Sequence, residues 1–187
     1  MLNKNFTDPV IRDNTPINYG LNPARYGTHF LIAEEINSGN KILDVGCNRG
    51  YLKLLSKDNI YFGIDNNSKD LREAIKIGYK QIYEFDLNNF LKFKIKEKFD
   101  VIVFADILEH LLYPDKVLRY FLDNFLKERG RVIISLPNVA NFTIRLSLLF
   151  GGFEYRESGI LDKTHLHLYT LKTARKMITG CGLEIIK

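Results

Sequence analysis

Residues 41–51, Lys-Ile-Leu-Asp-Val-Gly-Cys-Asn-Arg-Gly-Tyr, limit the fold of this chain more than any other stretch. Ile42 to Val45 make a short apolar run of the kind that forms a buried parallel strand. Gly46 and Gly50 then bracket a tight turn, and helical spacing resumes at Tyr51. A strand, a glycine turn and a helix start make a place where a ligand can lie against bare backbone. Asp44 falls at the carboxyl end of that strand, where open α/β sheets keep their ligand crevice. A dinucleotide fingerprint would need glycine where Asn48 and Tyr51 stand, and a phosphate-cradling loop would need Gly-Lys-Ser or Gly-Lys-Thr, which is absent. The pattern is D-x-G-x-N-x-G, and asparagine is the non-glycine residue that best tolerates positive φ. A plain structural turn can share these letters, so the residues downstream decide.

Residues 60–65 read as a second strand that ends in Asp65, 19 residues after Gly46. Nucleotide-type sites hold a ribose hydroxyl pair with an acid at this place, because a carboxylate accepts from both hydroxyls. Asn66 follows directly. A third strand, residues 81–86, also finishes on an acid. Asp86 is placed to accept from an adenine exocyclic amine while the Leu87 backbone N–H faces a ring nitrogen. Any one of these acids could be a cap, but three on one edge of a parallel sheet point to a site. The absence of a basic cluster near the glycine turn argues against a phosphate-bearing ligand.

The fourth strand, residues 99–105, is closed by Asp106-Ile-Leu-Glu-His110. Pro114 then starts an amphipathic helix with Val117, Leu118, Phe121, Leu122, Phe125 and Leu126 on one face. A turn around Gly130 leads to a fifth strand over 131–136. This alternation predicts an α/β fold with a doubly wound, mostly parallel sheet. Before the glycine turn, a helix is expected over 23–36, with Asn22 as its cap, Pro23 in its first turn and Arg25 able to reach an anionic ligand group. Residues 1–21 read as an arm and 22–187 as the folded domain.

Hydrophobic content of 45% and charged content of 26% are ordinary for a soluble domain. The net charge of +5 is scattered along the chain, so no nucleic-acid partner is expected. Cys47 and Cys181 lie far apart without zinc-type spacing, no signal peptide opens the chain, and no apolar run is long enough for a transmembrane segment. The cytoplasm is the expected compartment.

With ILDVGCNRG, FGID, EFD and FDVIVFADILEH in this order and spacing, the chain resembles a class I S-adenosylmethionine-dependent methyltransferase from Asn22 onward. The resemblance implies S-adenosyl-L-methionine as cofactor and S-adenosyl-L-homocysteine as product. It implies that Asp44, Gly46, Asn48 and Gly50 shape the methionine pocket and that Asp65 and Asn66 hold the ribose. It further implies that Asp86 and Leu87 frame the adenine and that Ala105 contributes backbone near the methionine moiety. Asn22-Pro-Ala-Arg25 is similar to an N-terminal motif of ubiquinone-type O-methyltransferases, whose arginine meets the cofactor carboxylate. Asn48 departs from the family's usual glycine.

Specificity is expected from residues 137–170, an acceptor-side insertion. A short amphipathic helix is expected after Pro137, broken at Gly151-Gly152, and a polar lid over 154–161. Asp162-Lys-Thr-His165-Leu-His167-Leu-Tyr-Thr170 resembles a D-x-T-H-x-x-x-x-T signature of methyltransferases found beside sugar and glycan genes. Methyl transfer to a hydroxyl needs alignment and removal of a proton, and a histidine is a suitable base. His165 is the first candidate and His110 the second. A structural role competes for both, and no third metal ligand lies near His165 and His167 in sequence. The segment after strand four lacks the Asn/Asp-Pro-Pro-Tyr type of motif used for amino methylation of nucleic acids. The leading expectation is O-methylation of a small-molecule acceptor such as a sugar or glycan precursor. A lipid-linked phenol or quinone precursor, or cofactor binding without catalysis, are the rivals. Residues 182–187 would form strand six, with no sequence left for the family's antiparallel seventh strand, and the open edge offers a route to a homodimer.

Overall fold

A computed structural model describes residues 27–187. The expected arm over 1–21, the cap at Asn22 and Pro23, and Arg25 lie outside the described residues. Five strands form one sheet: β1 (Lys41–Val45), β2 (Ile60–Asp65), β3 (Gln81–Glu84), β4 (Phe99–Ala105) and β5 (Leu126–Ser135). Their order is β3-β2-β1-β4-β5, and all four pairings are parallel. The order reverses between β1 and β4, which puts the topological switch beside the glycine turn.

Helices cover both faces, as the alternation predicts: α1 (Thr28–Glu34), α2 (Tyr51–Leu55), α3 (Ser68–Ile77), α4 (Pro114–Phe125), α5 (Phe142–Leu149) and α6 (Leu171–Gly180). On one face an aromatic-rich layer joins Phe62, Phe99 and Phe104 of the sheet to Phe121 and Phe125 of α4. On the other face Ile32 of α1 and Leu71 and Ala74 of α3 pack with Ile42, Tyr61 and Val101. Pro114 begins α4, where a missing N–H costs no helical bond. Asn67 caps α3 by accepting from Lys69 N and Asp70 N, and Gly78 ends it at a φ of +102°.

Four details differ from the sequence expectation. First, β3 stops at Glu84, and Asp86 caps the 3-10 turn Leu87–Lys92 by accepting from Asn88 N at 2.9 Å. Second, β5 starts early at Leu126, and residues 127–130 bulge out between the Phe99–Leu126 and Val101–Arg131 pairs. Third, α5 is not amphipathic toward this chain: Ile144 is its one buried residue, whereas Phe142, Leu149 and neighbouring Phe150 are exposed. Fourth, residues 182–187 do not form strand six. Among the described residues β5 is the edge strand, and the tail stands off it across a cavity that both line. Instead Lys187 pairs with Glu35 near α1. No helix of the described residues is long and apolar enough to cross a membrane.

Candidate active site

The glycine turn hangs between β1 and α2. Gly46 N and Cys47 N both donate to Ile64 O of β2, at 2.8 and 3.0 Å, and Gly50 N donates to Cys47 O. Gly46, Asn48 and Gly50 have φ of +78°, +47° and +80°, so Asn48 fills the left-handed position that its residue type predicts. A Cβ on Gly46 would lie 2.8 Å from Ile107 Cγ1, and one on Gly50 would lie 2.7 Å from Tyr79 Cε2. Both glycines are needed for close approach as well as for φ.

Asp65 is locked into this turn. Its Oδ2 accepts from Asn48 N and its Oδ1 from Asn67 N, each at 2.9 Å. The carboxylate is therefore oriented by backbone and keeps further acceptor capacity on both oxygens. Arg49, the one cation in the turn, is tied to Asp70 at 2.9 Å. Asp44 is 3% exposed and sits beneath the turn, outside the cleft. It accepts from the Tyr79 hydroxyl, and burial first, then the charge of Asp65, pushes its carboxyl up to about 7 against that hydrogen bond.

A cavity of about 1640 Å³ runs from the carboxyl ends of β1, β2 and β4 along the outer edge of β5 to the tail 182–187. Gly46, Asn48, Asp65, Asn66 and Ala105 line it, whereas Asp44, Gly50, Asp86 and Leu87 do not. Leu87 is a core residue and Asp86 an exposed cap. His110 and His165 both line the cleft, brought together from segments far apart, with ring centroids 4.7 Å apart. Residues 158–160, within the expected lid, border it as well.

Four cleft residues that the sequence did not single out shape this site, Asp106, Ser135, His29 and Glu109. Asp106 follows β4 directly, a fourth acid at a strand end, and has a φ of +48°. Ser135 holds it, donating through Oγ to Asp106 Oδ1 at 2.8 Å and accepting from Asp106 N at 3.0 Å. His29 of α1 feels its charge, although burial holds the imidazole below its ordinary value. Glu109 is fully buried, and neither carboxylate oxygen has a hydrogen-bond partner among the described residues. Burial, and less so the charges of Asp106 and Asp162, pushes it up to about 8. One donor atom each from Glu109, His110 and His165 comes within 4.8 Å of the others, a convergence invisible in the linear spacing.

A parallel sheet of this order, with a glycine turn after its first strand and an oriented acid after its second, is a doubly wound nucleotide-site architecture, and its relatives make it a class I S-adenosylmethionine-dependent methyltransferase. Residues 27–185 match the family described as methionine biosynthesis protein MetW, and the chain belongs to that family. The ubiquinone biosynthesis O-methyltransferase of Pasteurella multocida (strain Pm70) is 35% identical over 180 residues, covering 87% of this chain and 71% of that protein. Its counterpart from Glaesserella parasuis serovar 5 (strain SH0165) is 33% identical, covering 97% and 78%. A SAM-dependent methyltransferase from Archaeoglobus fulgidus superposes with a TM-score of 0.62 at 18% identity, covering 86% of this chain and 72% of that one. Magnesium protoporphyrin IX methyltransferase from Synechocystis PCC 6803, with S-adenosylhomocysteine bound, gives 0.60 at 19%, covering 86% and 71%. These two likenesses concern the fold. The cofactor is S-adenosylmethionine.

Proposed function

We propose that the chain O-methylates a small phenolic acceptor with an apolar tail, using His110 as the general base. S-adenosylmethionine supplies an electrophilic methyl on a sulfonium that leaves as a neutral thioether. Asp65 and Asn66 take the ribose, and Gly46 and Asn48 give the methionine portion its room. Ala105 lies at the wall nearest the methionine moiety. Asp44 acts from beneath by fixing the turn. Asp86 and Leu87 are left as the rim on the adenine side, and residues 137–170 as the roof over the acceptor.

The observation that carries the base assignment is the contrast between the two histidines. The His165 side chain is 6% exposed. Its Nδ1 lies 3.1 Å from the Ile160 carbonyl, and its Nε2 faces buried Glu109 at 3.9 Å. His110 is half-buried on the cleft wall, and burial holds it below the ordinary histidine value, so it is an uncharged acceptor at neutral pH. This reverses the order expected from sequence. Ile107 and Leu136, which follow the ends of β4 and β5, give the carboxyl-end part of the cleft an apolar wall, which suits a phenol with an apolar tail, and the curated relatives are named as O-methyltransferases of ubiquinone biosynthesis.

A sugar or glycan precursor is the second reading, favoured by the D-x-T-H block at Asp162–His165. Formation of S-adenosylhomocysteine with polyprenylated catechols against nucleotide-sugars separates the two. Turnover of the catechol alone supports the first reading, and turnover of the sugar alone replaces it with the second. His110→Gln is expected to lower kcat by at least about a hundredfold, and an unchanged kcat would remove His110 from that role.

A further inference from the structure

We propose that Asp162 and Thr164 are positioning residues for His110, forming a hydrogen-bonded chain that decides which ring nitrogen carries the proton. This rests on the reading of His110 as the base. The two ends are 54 positions apart in sequence, since Thr164 belongs to the acceptor-side loop and His110 to the short 3-10 turn after β4. That loop is seated on the turn by Leu166 N and His167 N, which both donate to Glu109 O.

The direction of each hydrogen follows from donor counting. The Thr164 hydroxyl donates to Asp162 Oδ1 at 2.6 Å, and Thr164 N donates to the same oxygen at 2.8 Å. A hydroxyl has one hydrogen, so toward His110 Oγ1 can only accept. It lies 3.0 Å from His110 Nδ1, and the Thr164 carbonyl, also an acceptor, lies 3.2 Å away. Two acceptors face Nδ1, so the neutral ring carries its hydrogen there. Nε2 is then the bare nitrogen of an imidazole that lines the cleft. Asp162 is 2% exposed, so the anchor of the chain is screened from water while the histidine is not.

The charged and titratable groups around His110 are His165, Glu109, Asp106 and Asp162. Burial and His165 lower its affinity for a proton, and the Thr164 carbonyl, Asp162 and Asp106 raise it. A local turn explains the bond from Thr164 N to Asp162. It does not require the hydroxyl to reach a histidine on another element. The Asp and Thr of the D-x-T-H block thus act on a residue outside that block.

The test is nitrogen-15 NMR of histidine-labelled protein in the full chain, read above the His110 titration. The wild type is expected to show His110 with its hydrogen on Nδ1. Thr164→Val leaves only the carbonyl at Nδ1, so the excess of Nδ1–H should shrink measurably without vanishing, whereas Thr164→Ser should restore it. With a catechol acceptor, Thr164→Val should lower kcat about tenfold at unchanged KM for S-adenosylmethionine. A tautomer ratio in Thr164→Val equal to that of the wild type overturns the proposal, as does a loss of kcat without a change in that ratio. Thr164→Ala provides the same readout if the valine disturbs the loop. Full turnover by His110→Gln would reject the base reading, while the spectra would still decide the hydrogen-bonded chain.

Discussion

The Tyr79 hydroxyl donates to Asp44 Oδ2 over 2.6 Å, with both side chains buried under the glycine turn. The same ring occupies the space where a Cβ on Gly50 or Gly63 would stand. Tyr79 therefore supports the turn from below in two ways, by filling volume and by satisfying a carboxylate that has no access to water. Tyr79→Phe keeps the volume and removes the donor. The expected cost is about 1–3 kcal/mol for a buried acceptor left unmade, seen as a lower Tm, together with weaker S-adenosylhomocysteine binding. A Tm and affinity equal to wild type would show that Asp44 is satisfied in another way.

Gly46→Ala meets two obstacles, the contact with Ile107 Cγ1 and the φ of +78°. The double variant Gly46→Ala with Ile107→Ala relieves only the first. Its cofactor affinity should remain below wild type because the left-handed strain, about 1–2 kcal/mol, persists. Titration calorimetry on the two variants measures this, and full recovery in the double variant would mean the backbone had relaxed.

The turn, the strand-end acids and the sheet were legible because each depends on local rules. Buried strands need continuous apolar runs, and glycine or asparagine must occupy positive φ. The third strand was read two residues too long because a strand end and a 3-10 cap place an acid alike, and only the Asn88 N–H decides. The convergence of Glu109, His110 and His165 was not legible, since it arises when the loop after β5 folds back onto the turn after β4. Asp106 could have been found as a fourth acid following a strand. Strand six failed because strand-like residues pair only where the chain comes within hydrogen-bond reach of an edge, and the tail stands off β5.

The buried carboxyls set a pH dependence with a definite sign. Glu109 is pushed by burial up to about 8 and Asp44 up to about 7, so the folded state keeps protons that the unfolded chain releases. Stability is then lost as pH rises through those values. His29 and His110, both held low by burial, oppose this only below the ordinary histidine value of 6.5. Between pH 6.5 and about 8, Tm should therefore fall, at no more than about 1.4 kcal/mol per pH unit for each group. Glu109→Gln should flatten the slope. A Tm rising over this window would contradict the assignment.

The Asp65 carboxylate is held by backbone N–H groups on both oxygens and lines the cleft, which makes it the sharpest probe of where the nucleoside lies. Calorimetric titration with S-adenosylhomocysteine should give one saturable site in the wild type and at least about tenfold weaker binding in Asp65→Ala. Equal affinity in the two proteins, or no heat from the wild type at millimolar ligand, would contradict the account.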